Sequence, residues 1–342
     1  MTNHSPASGH LAQFTTFRIG GPADELLEVD SEEGLIGAVR EADQRGLPLL
    51  ILAGGSNMLI SDAGFRGRVI RVATKGITRS GTALTVAAGE PWDKLVAWSV
   101  EAGLSGLEML SGIPGLVGAA PIQNIGAYGA EVANQITSIR VFDRVSGQVV
   151  SVSGDNARFG YRTSFFKQSG GRYVVLSLDL ILEDSIESAP IEYVELARHL
   201  GVNLGDRAPA TAARQAVLEL RRGKGMVVDP QDHDTWSAGS FFTNPILTAE
   251  QAEALPTDAP RFPQDDGHIK TSAAWLIDHA GFPKGYGTGA ARLSTKHVLA
   301  ITNRGTATAH DILTLAREIR DQVQATYNVR LEAEPQLVGL TL

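Results

Sequence analysis

The chain has 342 residues, 43% hydrophobic and 20% charged, enough for about two domains at roughly 150 residues each. Its 30 Lys+Arg against 38 Asp+Glu leave a net charge of −8. That argues against a dedicated nucleic-acid binder, whose phosphate neutralisation needs a basic surface, while leaving room for a local basic pocket. Cysteine is absent, which excludes disulfides, Cys-zinc sites, iron–sulfur clusters and thiolate nucleophiles together. Met1 to Leu11 is polar with no apolar h-region, and no stretch approaches 18 uninterrupted apolar residues. A soluble, cytoplasmic protein is expected.

After a polar leader over 1–12, residues 31–46 read as a helix: Ser31 caps it, Leu35, Val39 and Ala42 share a face, and Gly46 stops it. Leu49 to Leu52 is a short apolar strand that ends in Ala53-Gly54-Gly55-Ser56-Asn57. Val69 to Val72 and Leu84 to Ala87 are further strands, and Pro91 opens a helix where its missing N–H does no harm. Seven glycines between 103 and 129 rule out a long helix there and call for tight turning or close backbone approach. Ile139 to Phe142, Val149 to Val152 and Tyr173 to Leu182 are strands. In the last, Leu176, Leu178, Leu180 and Leu182 share a face by period two. The pattern loosens from 185 to 210, and a domain boundary is expected there. Helices follow over Ala212 to Arg222, over Thr271 to His279, and along the stripe Ile312, Leu315, Ile319 and Val323, with Thr308 and Asp311 as a capping pair.

Several segments carry possible chemistry. The 53–57 turn could line an anion with backbone N–H groups, or be a strand-ending turn only. It is neither a G-x-G-x-x-G fingerprint nor a P-loop. The run Ser111 to Gly129, with spaced glycines, alanines and two prolines, leaves backbone exposed. A pyrophosphate and a flat ring system would explain that composition, though a compact packing loop also fits. In Phe159 to Lys167, Arg162 would suit a planar carboxylate, because a guanidinium fork binds both oxygens; surface charge is the plain alternative. Ser240, in Ala238 to Pro245, is not a hydrolase elbow. Arg221 and Lys224 could compensate a helix dipole or bind phosphate. Leu331-Glu332-Ala333-Glu334-Pro335 holds two carboxylates, and Asp232-His233-Asp234 reads as a solvated turn. The eight histidines show no metal-ligand spacing, so no metal is expected.

Taken in order, these segments resemble the UDP-N-acetylenolpyruvoylglucosamine reductase (MurB) flavoenzyme family, from Thr16-Phe17-Arg18-Ile19-Gly20-Gly21-Pro22-Ala23 to Gly339. The Ile113-to-Gly129 block with Tyr161-Arg162, Gly239-Ser240-Phe241-Phe242 and Leu331-Glu332 is the specific part. The resemblance implies an α+β fold: a two-subdomain FAD-binding unit of the PCMH/vanillyl-alcohol-oxidase type over 13–185, and a smaller α+β substrate-binding domain over 186–342. It implies non-covalent FAD, held by Gly54, Gly55, Ser56, Asn57, Met58, Ile113, Pro114, Gly115, Gly118, Ala119, Pro121, Asn124 and Gly126. NADPH is the implied co-substrate and a UDP-sugar the substrate, with no nucleic acid and no membrane insertion. Arg162, Ser240 and Glu334 match the catalytic positions. Tyr128, Arg221, Lys224 and Asn244 match substrate-contacting ones, and Tyr193 resembles the substrate-covering tyrosine of the longer family variant. The family usually has Asn where Thr15 stands and a third glycine where Ala53 stands. It often reads Glu-Pro-Glu-Val where this chain has Glu332-Ala333-Glu334-Pro335.

Overall fold

The computed structural model describes residues 9–342, so the expected leader lies outside the described residues up to Ser8. Its end is folded: Leu11 is fully buried and opens a 3-10 turn, Leu11–Phe14. Two compact units emerge, one from Ala23–Gly54 and Arg66–Gly223, the other from His10–Pro22, Gly55–Phe65 and Lys224–Leu342.

In the first unit, Ser31 accepts a hydrogen bond from the Gly34 N–H and starts the helix Glu32–Gln44. Gly46, at φ 64°, follows its end in the left-handed conformation that glycine adopts without a Cβ penalty. The helix buries Leu35, Val39 and Ala42 beside a three-stranded sheet ordered Ala23–Val29, Phe65–Val72, Leu49–Leu52, the last two parallel. An antiparallel five-stranded sheet follows, ordered Gln148–Ser153, Ile136–Asp143, Tyr173–Ile181, Ala83–Ala87, Ile77–Ser80. Leu176, Leu178, Leu180 and Leu182 are all buried, as period two requires, and they share one core with Leu35, Ile70 and Trp92.

The unit runs to Gly223, beyond the expected division at 185/186. The reason is packing. The loosened stretch contains a helix, Val194–Leu200, whose Leu196 and Ala197 pack with Ala213, Ala216 and Val217 of the helix Ala210–Gly223 and with Met109. The buried Glu108 carboxylate accepts from the Gly106 and Ala189 N–H groups, both at 2.6 Å, which satisfies a charge that would otherwise be costly inside.

The second unit is built on Phe17, Leu59, Phe241, Phe242, Leu276, Ile312, Ile319 and Val323. Each fully buried phenylalanine contributes about 2–3 kcal/mol of apolar burial. The helix Ala309–Tyr327 starts from a complete capping box of Thr308 and Asp311. The shorter expected helix starts at Ala273, later than Thr271, because Thr271 ends a strand, Ile269–Thr271, and Ser272 caps the helix. The strand Gln336–Val338 pairs in parallel with Met58–Ile60.

Asp232-His233-Asp234 is not a solvated turn. Asp234 is buried and accepts from Thr295 and Arg304, while Asp232 pairs with Lys296 at 2.6 Å. Among the described residues, no helix is long and apolar enough to cross a membrane.

Candidate active site

The strand Leu49–Leu52 delivers Gly54 against a second loop. A Cβ added to Gly54 would stand 2.6 Å from Gly115 Cα, so the two loops meet backbone to backbone. The run 115–118 is strung along the start of the helix Trp92–Glu101: Trp92 N–H donates to Gly115 O, Val117 N–H to Glu90 O, and Gly118 N–H to Ala88 O. A Cβ on Gly118 would stand 2.6 Å from Ala88 Cβ. Pro121 is buried, while Ile113, Pro114, Gly115, Gly118, Ala119 and Gly126 are half-buried. The Gly54 and Gly115 N–H groups find no acceptor among the described residues. Free N–H groups on two abutting small-residue loops fit an anionic diphosphate, and hence FAD. Asn124 has another task. Its Nδ2 donates to Glu131 and Gly160 O, and its Oδ1 accepts from Ala133 N–H, so its side chain is spent on holding the loop.

Arg162 sits in a tight turn closed by reciprocal Gly160–Thr163 backbone hydrogen bonds. Its φ of 53° is left-handed, a conformation that costs a non-glycine residue about 1 kcal/mol or more and that clusters at functional sites. Its Nη2 donates to Gly126 O at 3.0 Å. Tyr128, also left-handed at φ 51°, meets Tyr193 edge to face at 5.3 Å.

Burial pushes the Tyr128 hydroxyl up to about 12, with Glu195 and Tyr193 adding to it and Arg221 opposing. The buried Arg221 guanidinium is brought down to about 10, first by desolvation and then by Arg162, against the pull of Tyr128 and Asp93. It stays cationic at neutral pH, deep enough that dipole compensation at a solvated helix end does not describe it. Sequence reasoning missed Asp93, which accepts from Gly112 N–H at 2.6 Å and from Arg214 at 2.6 and 3.0 Å. It ties the loop before Ile113 to the helix that carries Arg221. In the sequence it is only an acidic residue in the first turn after Pro91, with no pattern that marks it.

In the second unit, Gly55, Ser56 and Asn57 form the turn before Met58, which opens the buried strand Met58–Ile60. Gly55, at φ 56°, lies so close to Phe14 O that a Cβ would overlap it. Ser240 and Glu334 stand on paired segments. Thr243 N–H donates to Glu332 O, Glu334 N–H donates to Phe241 O, and Phe242 and Ala333 form an antiparallel bridge between them. In this register Ser240 faces Pro335. A proline cannot donate to the ladder, so the pairing ends there, and Gln336 turns to Asn57, donating its N–H to Asn57 O at 2.9 Å. Asn57 Nδ2 donates to Glu334 O at 3.3 Å. The shifted proline thus stands where the strand changes partner, and the Glu334 backbone is held from both sides. Glu332 is exposed, Ser240 and Glu334 are half-buried, and among the described residues nothing hydrogen-bonds Ser240 Oγ. Asn244 Oδ1 accepts from Ala273 N–H at the start of the helix Ala273–His279, and Lys224 is half-buried. No three His, Asp or Glu among the described residues gather into a metal-binding group.

Comparison with known proteins fits these two halves. An FAD binding domain family matches residues 23–153, and the UDP-N-acetylenolpyruvoylglucosamine reductase C-terminal domain family matches residues 229–338. A UDP-N-acetylenolpyruvoylglucosamine reductase of Streptomyces coelicolor is 55% identical, over 97% of this chain and 90% of its own. The chain belongs to the UDP-N-acetylenolpyruvoylglucosamine reductase family. A reductase of that name from Thermobifida fusca is 49% identical over the whole of both chains. The crystal structure of UDP-N-acetylenolpyruvylglucosamine reductase (MurB) from Thermus caldophilus superposes with a TM-score of 0.69 at 30% identity, covering 98% of this chain and 99% of that one. The α+β architecture with an FAD-binding part is that of the family.

Proposed function

We propose that this family member reduces the enolpyruvyl group of UDP-N-acetylglucosamine-enolpyruvate to UDP-N-acetylmuramate, a peptidoglycan precursor, in the cytoplasm, with NADPH as co-substrate. The observation that carries the reading is the pairing of 241–243 with 332–334, which sets Ser240 and Glu334 on adjoining segments of one unit. FAD, when bound, supplies hydride transfer from NADPH to the terminal enolpyruvyl carbon. Gly54 to Met58 and the run Ile113 to Gly126 would hold it.

The chain's own residues then divide the work. Hydride addition leaves negative charge on the neighbouring carbon and the carboxylate, and Arg162 stabilises that charge as it develops. Ser240 gives its hydroxyl proton to the neighbouring carbon, which completes the addition of hydride and proton across the double bond. Glu334 orients and polarises that donor, because an unassisted serine is a weak acid. Arg221 and Lys224 bind the diphosphate, and Tyr128, Tyr193 and Asn244 contact the remaining UDP-sugar.

Ser240→Ala tests this. Bleaching of the yellow protein by NADPH should proceed near the wild-type rate. Anaerobic recolouring by the enolpyruvyl substrate should slow at least about a hundredfold, the lower end for loss of a positioned general acid. Recolouring at the wild-type rate would make the serine a loop residue and the mechanism wrong.

A further inference from the structure

The motif Thr16 to Ala23 marks the start of the family resemblance, and the reaction as derived gives it no task. In the second unit its first residue, Thr16, joins the 55–57 turn to the stretch that leads to Ser240. The turn before it is fixed by Thr15, whose Oγ1 donates to Ile19 O at 2.9 Å and accepts from Ile19 N–H at 3.2 Å. Thr16 is presented from that turn. Its N–H donates to Gly55 O at 3.1 Å, and its Oγ1 donates to Ser237 O at 2.6 Å, with Ser56 O at 3.4 Å. A hydroxyl has one proton to give, so the short bond to Ser237 is the one that is made. From Ser237 a tight turn leads to Ser240: Ser237 Oγ accepts from Gly239 N–H at 3.1 Å, and Gly239 is left-handed at φ 75°.

These links close a ring. The 55–57 turn is tied through Thr16 to Ser237, the chain runs on through Ser240 to Phe241, Phe241 O accepts from Glu334 N–H, and Asn57 returns from Glu334 to the turn. We propose that Thr16 is a positioning residue for the proton-transfer step: its hydroxyl sets the Ser240 segment in register with the 55–57 turn that holds the cofactor. Thr16 touches neither reacting atom in this role. The inference rests on Ser240 being the proton donor, and its test separates the two claims.

Thr16→Val and the smaller Thr16→Ala remove the hydroxyl, and Thr16→Ser keeps it. Because the Glu334 side of the ring remains, the Ser240 displacement should be a fraction of an ångström. Recolouring by saturating enolpyruvyl substrate should slow about tenfold in both hydroxyl-free variants, short of the hundredfold seen for misplacement by a full ångström. NADPH bleaching and the substrate concentration for half-maximal recolouring should stay within about twofold. Independently of turnover, free FAD followed by its fluorescence during dialysis should leave these variants about fivefold faster, the effect of about one hydrogen bond. Thr16→Ser should restore both. Wild-type recolouring in both hydroxyl-free variants while Ser240→Ala is slow overturns the positioning role alone. Wild-type recolouring in Ser240→Ala overturns the donor reading and this inference with it. Equal slowing of bleaching and recolouring, absence of rescue by serine, or loss of folding confined to the hydroxyl-free pair would each assign Thr16 to stability instead, and overturn the proposal.

Discussion

Asp234 is a carboxylate whose contribution can be worked from its surroundings. Its side chain is 6% exposed, and it accepts from Thr295 N–H at 3.0 Å, Thr295 Oγ1 at 2.5 Å and Arg304 Nη1 at 2.8 Å. Burial pushes its carboxyl up, but the two Thr295 donors and the Arg304 guanidinium outweigh this and hold it below the usual range. Asp234→Asn keeps the shape and removes the charge. The two Thr295 bonds become neutral ones of about half the strength, the Arg304 guanidinium loses its counter-charge, and the amide must turn one N–H toward Thr295 Oγ1. A loss of about 3 kcal/mol is expected, or roughly 10 °C in melting temperature for a unit of this size. Thermal melts followed by tryptophan fluorescence would measure it, since Trp236 lies two residues on.

The pH dependence has a definite sign. The folded pKa lies below the unfolded value of about 3.9, so the stabilisation is fully present above the unfolded value and is lost as pH falls toward the folded one. The gap between wild type and Asp234→Asn should therefore be flat from pH 8 to 5 and shrink below about pH 4. A gap under about 1 kcal/mol at pH 7, or one that persists unchanged at pH 3, would refute the account of this network.

Three further outcomes are expected. Lys224→Ala should raise the substrate Michaelis constant more than it lowers turnover at saturation, because a diphosphate contact is remote from the hydride path; an unchanged constant would return Lys224 to a helix-end role. Gly55→Ala should cost flavin binding, since its Cβ would overlap Phe14 O at a φ of 56°, and flavin absorbance per protein after purification would show it. Acid precipitation should release all flavin into solution, there being no cysteine for a thioether link; flavin retained on the denatured chain would contradict non-covalent binding.

Elements whose signals are local were legible from residue order alone. The helix 32–44 carries its own cap and stop, the helix 309–327 its own capping box, and the strand 173–181 a period of two over Leu176, Leu178 and Leu180. The strand Ala23–Val29 was not legible, because Asp24, Glu25 and Glu28 interrupt its alternation. Those charges make sense only beside the neighbouring strand, where Arg66, Arg68 and Arg71 pair with them in turn. The helix Val194–Leu200 hid for a similar reason, being stabilised by a later helix; Gly201, left-handed at its C-cap, was the one local sign. At the site, residue types suggested Arg162 and the glycine loops. The adjacency of the Ser240 and Glu334 segments depends on pairing between remote parts of the chain, which no local pattern encodes. The depth at which Arg221 lies is likewise a property of packing.

The parallel pairing of Met58–Ile60 with Gln336–Val338 sets an order for biosynthesis. The first strand leaves the ribosome well before its partner, which begins 336 − 58 = 278 residues further along the chain. At roughly 5–20 residues per second the wait is about 15 to 60 s, and for most of it Phe17, Ile19 and Leu59 lack the Ile312 and Ile319 side chains that share their finished core. All residues of the first unit have been synthesised well before then. Translation thus passes through a stage in which two apolar threads, 10–22 and 55–65, stay unsheltered until the later segments of their core are made, and chaperone demand and nascent-chain proteolysis should concentrate on those threads.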